Sequence, residues 1–352
     1  MKKQTLRLNL LAFIFGICAC VGILLFIEVF FGFLNDLKIK KEKVVLQEWC
    51  LKEGKQFYLF DNDLGYKLIP NSRCYGIKEA KGKRLYRTRY SFDALGRRVI
   101  PIDNLKSRNK FILFFGCSFT LGVGVKNHET MPYYVSKLTK EYIAYNYGVG
   151  AYGPQQMLSK LLRGDLKREI PQKTGMLIFT YIDGHIKRVI GSSILSTTWG
   201  KDFPNYELKG GTLIRKGSFT SGRPLLSMIY KLYSNSQVVK FFKLELPRIN
   251  ENHIKLTAKI FEESKNLFKE QFNSDDFYVL IYPLNPSHTR ILVKYLTKFN
   301  VKYLDYSKLF IEEPAFRNYF PSQLYFIEND DHPKPILHKW ISEKIVKDLA
   351  LN

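Results

Sequence analysis

This sequence is short of acid relative to base: 32 Asp and Glu stand against 55 Lys and Arg in 352 residues, a formal net charge of +23. A field of that sign favours anionic surfaces such as phospholipid headgroups, acidic polysaccharide or nucleic acid. The basic residues are nevertheless spread along nearly the whole chain, the stretch Lys38 to Lys43 included. There is no zinc finger, no RNP-like aromatic pattern and no Arg-rich arm, so nucleic acid is disfavoured as a partner. Metal motifs are missing too. The chain has no H-E-x-x-H, no C-x-x-C and no carboxylate cluster, which leaves no cofactor or metal to expect. His128, His253, His288 and His338 stand in charged or polar settings without neighbours at ligand spacing, and His338 reads as a surface or packing residue. Internal repeats and low-complexity tracts are absent. With 45% hydrophobic and 15% aromatic residues the chain is nonetheless of globular composition.

Charge is absent altogether from Leu8 to Ile27, and after the lone Glu28 the apolar run resumes from Val29 to Leu34. Twenty residues at about 1.5 Å each span roughly 30 Å, the hydrocarbon thickness of a bilayer. A secretory signal peptide has a shorter apolar core and a small-x-small cleavage site. Cys20 hints at a lipoprotein site, but the apolar run continues well past it. We therefore expect an uncleaved single-pass anchor over 8–34, with the lipid bilayer as its partner. Lys2, Lys3 and Arg7 at one end nearly balance Lys38, Lys40, Lys41 and Lys43 at the other. An N-in anchor, the orientation adopted here, puts the C-terminal mass outside the cytoplasm. Of five cysteines, Cys18 and Cys20 fall in the span and Cys117 in a motif discussed below; Cys50 and Cys74 remain as a disulfide pair or as two free thiols.

The chain then divides into a short tail (1–7), the anchor (8–34), a stalk and small β-containing region (35–109) and a main domain (110–352). Asn35 to Glu48 reads as a charged helical stalk. Asp61 to Pro101 is rich in Gly, Pro and Tyr and carries alternating segments such as Arg87 to Phe92 that suit strands. From Lys110 short apolar runs alternate with amphipathic segments. Phe111 to Phe115, Ile143 to Tyr147, Met176 to Tyr181, Phe277 to Tyr282 and Val301 to Leu304 have the character of strands buried on both faces. Helices are predicted over Met131–Lys140, Gln155–Arg163, Ile254–Phe272 and Ile336–Leu349. This alternation predicts an α/β fold, a three-layer α/β/α sandwich with a central parallel sheet, preceded by a transmembrane helix. The segment 191–246 interrupts the alternation and reads as an insertion, a candidate cap over the site.

Two loops carry chemistry. Gly116-Cys117-Ser118-Phe119-Thr120 follows directly on the first buried strand, so Ser118 projects from the carboxyl edge of the sheet, where α/β ligands bind. Near the other end, Asn329-Asp330-Asp331-His332-Pro333 offers a histidine base with a carboxylate two residues upstream to fix its tautomer. Each motif alone also describes an ordinary turn serine or a capping loop before a helix. Their joint placement at strand-to-helix junctions of one domain is what points to a Ser118, His332 and Asp330 triad, with Asp331 as the alternative carboxylate.

These blocks resemble the SGNH/GDSL hydrolase family. Gly116 to Val125 is similar to that family's nucleophile block, Asp330 to Pro333 to its closing block, and Tyr145 to Pro154 to a second block whose loop donates a backbone N–H to an oxyanion. The resemblance runs from roughly Asp61 to the C-terminus. It implies an SGNH-hydrolase, flavodoxin-like fold and a serine esterase acting on an oxygen ester of a small molecule, lipid or glycan through an acyl-enzyme. It leaves open O-acetyl transfer to an envelope glycan, or an inactive module binding anionic polymer. The oxyanion donors it implies are Ser118, Gly148 and Ala151. Three positions depart from the pattern. Cys117 replaces an Asp, and could itself serve as nucleophile; Ala151 replaces a Gly; and Thr180 to His185 lacks the oxyanion Asn, leaving His185 or Asn146 as substitute donors, or His185 as a plain structural histidine.

Overall fold

The computed structural model describes residues 2–41, 46–48, 57–80, 82–103, 107–284, 287–312 and 324–351. Helix α1 (Lys2–Lys41) is one uninterrupted helix. Its stretch Asn9–Lys38 is long and apolar enough to cross a membrane, and none of its most apolar window is buried. The expected stalk is not helical throughout: β1 (Leu46–Glu48) is a strand, because it has an edge to pair with. There follow β2 (Tyr58–Asp61), β3 (Gly65–Leu68), β4 (Arg73–Ala80) and β5 (Lys83–Ser91). They make two small antiparallel units, β1-β4-β5 and β2-β3. Cys74, on β4, is disulfide-bonded, and Cys50 lies outside the described residues.

The main domain begins with β6 (Lys110–Phe115), α2 (Ser118–Leu121), α3 (Met131–Leu138), β7 (Tyr142–Asn146), α4 (Pro154–Leu162), α5 (Asp165–Glu169), β8 (Thr174–Tyr181) and α6 (Gly184–Ile190). The segment 191–246 then holds α7 (Ser193–Thr197), a hairpin of β9 (Pro204–Lys209) and β10 (Thr212–Ser218), and α8 (Phe219–Gly222), α9 (Pro224–Asn235) and α10 (Gln237–Phe241). Regular alternation resumes with α11 (Glu251–Phe272), β11 (Phe277–Ile281), α12 (Thr289–Lys298) and β12 (Lys302–Asp305). It closes with α13 (Leu309–Glu312) and α14 (Pro335–Asp348).

Five strands form a parallel sheet in the order β12-β11-β8-β6-β7. Alternate side chains explain why these strands read as unbroken apolar runs. Phe111, Leu113 and Phe115 pack under α4, α6, α11 and α12, whereas Ile112 and Phe114 pack under α3 and α14. Both faces are covered, so the architecture is the expected three-layer sandwich. Residues at helical spacing share buried faces: Ile254, Phe261 and Phe268 on α11, and Ile341 and Ile345 on α14, while Leu349, on the same spacing, is half-buried just past the end of α14. Numbered along the chain, the strand order is that of a doubly wound sheet of the flavodoxin type, which reverses direction between β6 and β8. Side chains from 191–246, among them Leu195, Phe203 and Phe219, join a third cluster with Tyr90, Phe92, Leu121 and Tyr152. The small antiparallel units and this segment therefore share one core beside the sheet.

His338 is not a surface residue. It is fully buried in α14, neither ring nitrogen has a hydrogen-bond partner among the described residues, and burial beside the Arg98 charge pulls it from 6.5 down to about 3. His185 is likewise buried and pushed well below its usual value by desolvation. Each is held neutral in the folded chain but takes a proton on unfolding below pH ~6.5. Their contribution is therefore whole above pH ~6.5 and is lost progressively below it, for His338 down to about 3. Thermal unfolding of the full chain in detergent should show Tm dropping across that window, with His338→Leu giving a shallower drop; equal slopes would contradict the buried neutral imidazole.

Candidate active site

The carboxyl ends of β6 and β8 meet where the sheet changes winding direction, the position at which doubly wound sheets bind ligands. Ser118 opens α2 there, immediately past β6, and is 8% exposed. The first N–H groups of a helix have no intrahelical acceptor, and among the described residues the Ser118 N–H meets none, so it can serve a ligand at this edge. Cys117 lies one residue earlier with its free thiol fully buried among Phe114, Phe119 and Leu337. Its sulfur faces the core, and Ser118 is the side chain presented at the turn.

The turn after Ser118 is held from below by an arginine. Arg98 is 2% exposed, and its guanidinium donates to the carbonyls of Leu121 (2.6 Å), Gly122 and Val125 (2.5 Å) and to Asn127 Oδ1 (3.1 Å). The Tyr90 ring stacks on it with its centre 4.4 Å away. Desolvation lowers the guanidinium to about 10, still charged at neutral pH. The same turn is gripped by β5: Gly124 N–H donates to the Tyr90 hydroxyl (2.8 Å) and Thr88 Oγ1 donates to the Gly124 carbonyl (3.0 Å). Gly124 has φ +83 and a Cβ there would stand 2.3 Å from Ile327 Cδ1, so this glycine lets the Ser118 turn touch the loop that carries His332.

That loop is a tight reversal. Ile327 N–H donates to the His332 carbonyl (2.8 Å), and Lys334 N–H to the Tyr325 carbonyl (2.7 Å). Asn329 and Asp331 take left-handed φ values of 56 and 55, which Asn and Asp tolerate best among side-chain-bearing residues. The alternation turns Asp330 inward and leaves Asp331 exposed. Asp330 Oδ1 meets His332 Nδ1 at 2.8 Å. It also receives Lys78 Nζ from β4 at 2.7 Å, with Asp330 and Lys78 side chains 1% and 12% exposed. The His332 ring lies 5.5 Å from that of Phe119, next to Ser118. Of the two carboxylates weighed from sequence, Asp330 is the one bonded to the histidine, and Lys78 was not foreseen.

The implied oxyanion donors fare differently. Gly148 sits where a Cβ would come 2.3 Å from Leu121 N, which accounts for its glycine. Its N–H is already engaged by Asn146 Oδ1 (3.0 Å), so Gly148 is not a free donor. Asn146, fully buried, gives its own amide to the Thr120 carbonyl (2.9 Å) and so ties the two loops together. His185 is in the wrong layer. Its ring packs on Phe179 and Tyr181, on the opposite face of the sheet from Cys117 and Phe119, and its Nδ1 accepts from Ile182 N–H (3.1 Å). It is a structural histidine. Ala151 adopts φ 66, the left-handed backbone that a Gly would take without strain. The N–H groups of Ser118 and Ala151 meet no acceptor among the described residues. Beyond β8, Asp183 Oδ2 accepts from the His288 backbone N–H (3.1 Å) and meets its Nδ1 (3.0 Å), a pair that sequence spacing could not reveal. No group of three or more metal-ligating side chains occurs among the described residues.

No family model and no curated protein matches the chain. In structure it is similar to a member of the lipolytic protein G-D-S-L family from Veillonella parvula DSM 2008, at 12% identity and TM-score 0.38, covering 68% of this chain and 97% of that one. It is also similar to an acetyl xylan esterase from the rumen bacterium Butyrivibrio proteoclasticus, at 9% identity and TM-score 0.40, covering 81% and 73%.

Two substitutions probe this construction. Arg98→Met strands several buried carbonyls and should lower stability by about 3 kcal/mol or more, given ~1–3 kcal/mol for each unsatisfied group. Ala151→Gly removes a left-handed alanine and should raise stability by up to ~1 kcal/mol. Denaturant unfolding of both variants against wild type measures each effect.

Proposed function

We propose that the chain is a membrane-tethered serine hydrolase of the SGNH/GDSL type that cleaves an oxygen ester. Ser118 Oγ attacks the ester carbonyl, His332 takes its proton and returns it to the leaving alcohol, and Asp330 orients the imidazole and stabilises its charged form. The N–H groups of Ser118 and Ala151 are the donors left for the developing oxyanion. Water then releases the acid, and a sugar hydroxyl in its place would make the same acyl-enzyme an O-acetyl donor. The observation that carries the reading is the 2.8 Å contact of His332 Nδ1 with buried Asp330, in a loop packed on the turn that presents Ser118. A disulfide at Cys74 favours an oxidising compartment, which fits a domain on the extracytoplasmic side of the anchor.

The competing reading is a catalytically silent module binding anionic polymer. It is favoured by the spent Gly148 N–H and by the net charge of +23. Hydrolysis of p-nitrophenyl acetate and labelling by a fluorophosphonate probe decide between them. Wild type should turn over and label, and Ser118→Ala should do neither. Asp330→Asn should lose on the order of 10^3–10^4-fold in kcat, as removal of an orienting carboxylate does, whereas Asp331→Asn should stay within a few-fold. Well-folded wild type that neither labels nor turns over would establish the silent module instead.

A further inference from the structure

Helix α9 carries an apolar stripe on its outer side. Its Leu225, Met228, Ile229 and Leu232 follow i, i+3, i+4, i+7 spacing and so form one stripe, yet they are 67%, 56%, 47% and 67% exposed. The side facing the protein is mixed: Tyr230 is buried, Ser227 Oγ donates to the Phe219 carbonyl (2.8 Å), and Ser234 Oγ donates to the Ser193 carbonyl (3.4 Å). Phe242 and Leu244, just past α10, are exposed as well. Contiguous apolar surface of this kind on a soluble domain marks a contact with something apolar.

What covers it is indicated by the neighbouring helix. α10 is seated on α1, with Phe31 packed against the rings of Phe241 and Phe242 at 5.0 and 5.4 Å. Glu28, the one charge inside the apolar stretch, accepts from Ser236 Oγ (2.5 Å) and from the Gln237 backbone N–H (2.6 Å). Asn35 donates to the Gln237 carbonyl (3.0 Å) and Oε1 (3.1 Å). The start of α10 thus lies between the levels of Glu28 and Asn35. Seven residues separate those two, about 10 Å along a helix axis. An amphipathic helix lying in a membrane interface buries its apolar face ~5–10 Å into the headgroup and acyl boundary. A carboxylate at Glu28 would otherwise stand unsatisfied in an apolar layer, a costly arrangement that α10 relieves. Lys231, Lys240 and Lys243 are exposed around the stripe, and Lys38 lies 5.6 Å over the Phe241 ring, as expected of side chains reaching anionic headgroups.

We infer that α9 and α10 form a second membrane contact, an interfacial helix pair whose apolar stripe lies in the lipid leaflet beside the anchor. The inference rests on the anchor reading of α1 and adds a fixed orientation to it: the domain is held down on the membrane at 224–244. It is not left free on a tether. An ester carried by a lipid or a surface glycan would then meet the domain in one constant attitude.

The test uses the full chain in phosphatidylcholine and phosphatidylglycerol vesicles, with Cys18→Ser and Cys20→Ser to clear the accessible thiols. Spin labels are placed singly at Met228→Cys, Leu232→Cys, Leu24→Cys on α1 and Lys298→Cys on the exposed side of α12. Collision with oxygen, which partitions into lipid, is compared with collision with a water-soluble nickel chelate. Met228 and Leu232 should follow Leu24, with oxygen-to-nickel ratios several-fold above that of Lys298. If they follow Lys298 while Leu24 stays in lipid, the anchor stands and the interfacial pair is refuted. Shielding of both sites from both reagents would mean a protein partner or second copy covers the stripe, and also refutes it. A nickel-accessible Leu24 would remove the anchor and this inference together.

Discussion

One buried cation organises the region around Ser118. Among the described residues Arg98 has no carboxylate within bonding distance; its charge is met by three carbonyls, one amide oxygen and a tyrosine face. A guanidinium can do this because its donors diverge in a plane and reach several acceptors at once, which an ammonium cannot match. The carbonyls it gathers are those that α2 leaves unsatisfied at its carboxyl end, together with those of the glycine-rich turn beyond. A turn that would otherwise be free to wander is fixed relative to β6. Arg98 itself bridges Phe92 on one side and Asn146 on the other, so the small antiparallel layer, the turn and the end of β7 are fastened at one point.

Once that turn is fixed, the rest of the edge follows from close approaches. Gly148 lies against the backbone of Leu121, and Gly124 against Ile327. Both contacts need the missing side chain, and each joins loops far apart in sequence. Asn146 completes the arrangement by bonding Gly148 with one end of its amide and Thr120 with the other. A group so fully used cannot also bind a ligand. The loop that looked like a source of oxyanion donors spends one of them on its own integrity.

How much of this was legible in the sequence depends on the range of the interaction. The inner strands β6, β8 and β11 were legible because burial on both faces makes each of them a near-continuous apolar run. The edge strand β12, with Lys302 and Tyr303 exposed, showed only the short apolar stretch around Val301 and Leu304. Helices α11 and α14 were legible because their apolar residues repeat at helical spacing. Ser118 and the His332 loop were legible because local turn chemistry needs particular residues within a few positions. Long-range pairings left no such trace. Arg97 and Arg98 are neighbours of the same type, yet one makes a partly buried pair with Asp93 (2.7 Å) and the other is fully buried with no ion pair among the described residues. Lys78 and Asp330 are 252 residues apart, and Asp183 and His288 are 105 apart. Local spacing left His185 open between a donor at the sheet edge and a structural role, because only the turn geometry of α6 shows that its side chain goes under the sheet. His338 stood open between surface and packing because its surroundings in sequence are polar while its face of α14 is buried.

The Lys78 contact changes what the small antiparallel layer is for. Asp330 is almost completely buried, and a buried carboxylate is costly unless its charge is balanced; both of its partners meet Oδ1. His332 supplies a hydrogen bond there through Nδ1. The cation comes from β4, which belongs to the layer preceding the main domain. The Asp330–His332 pair is therefore completed by a residue outside the α/β sandwich, in the same way that the Ser118 turn is completed by Arg98 and Tyr90. A sandwich cut free at residue 110 would retain all three side chains proposed for catalysis and lose the groups that position them. The layer is better understood as half of the site's framework than as an appendage between the site and the anchor.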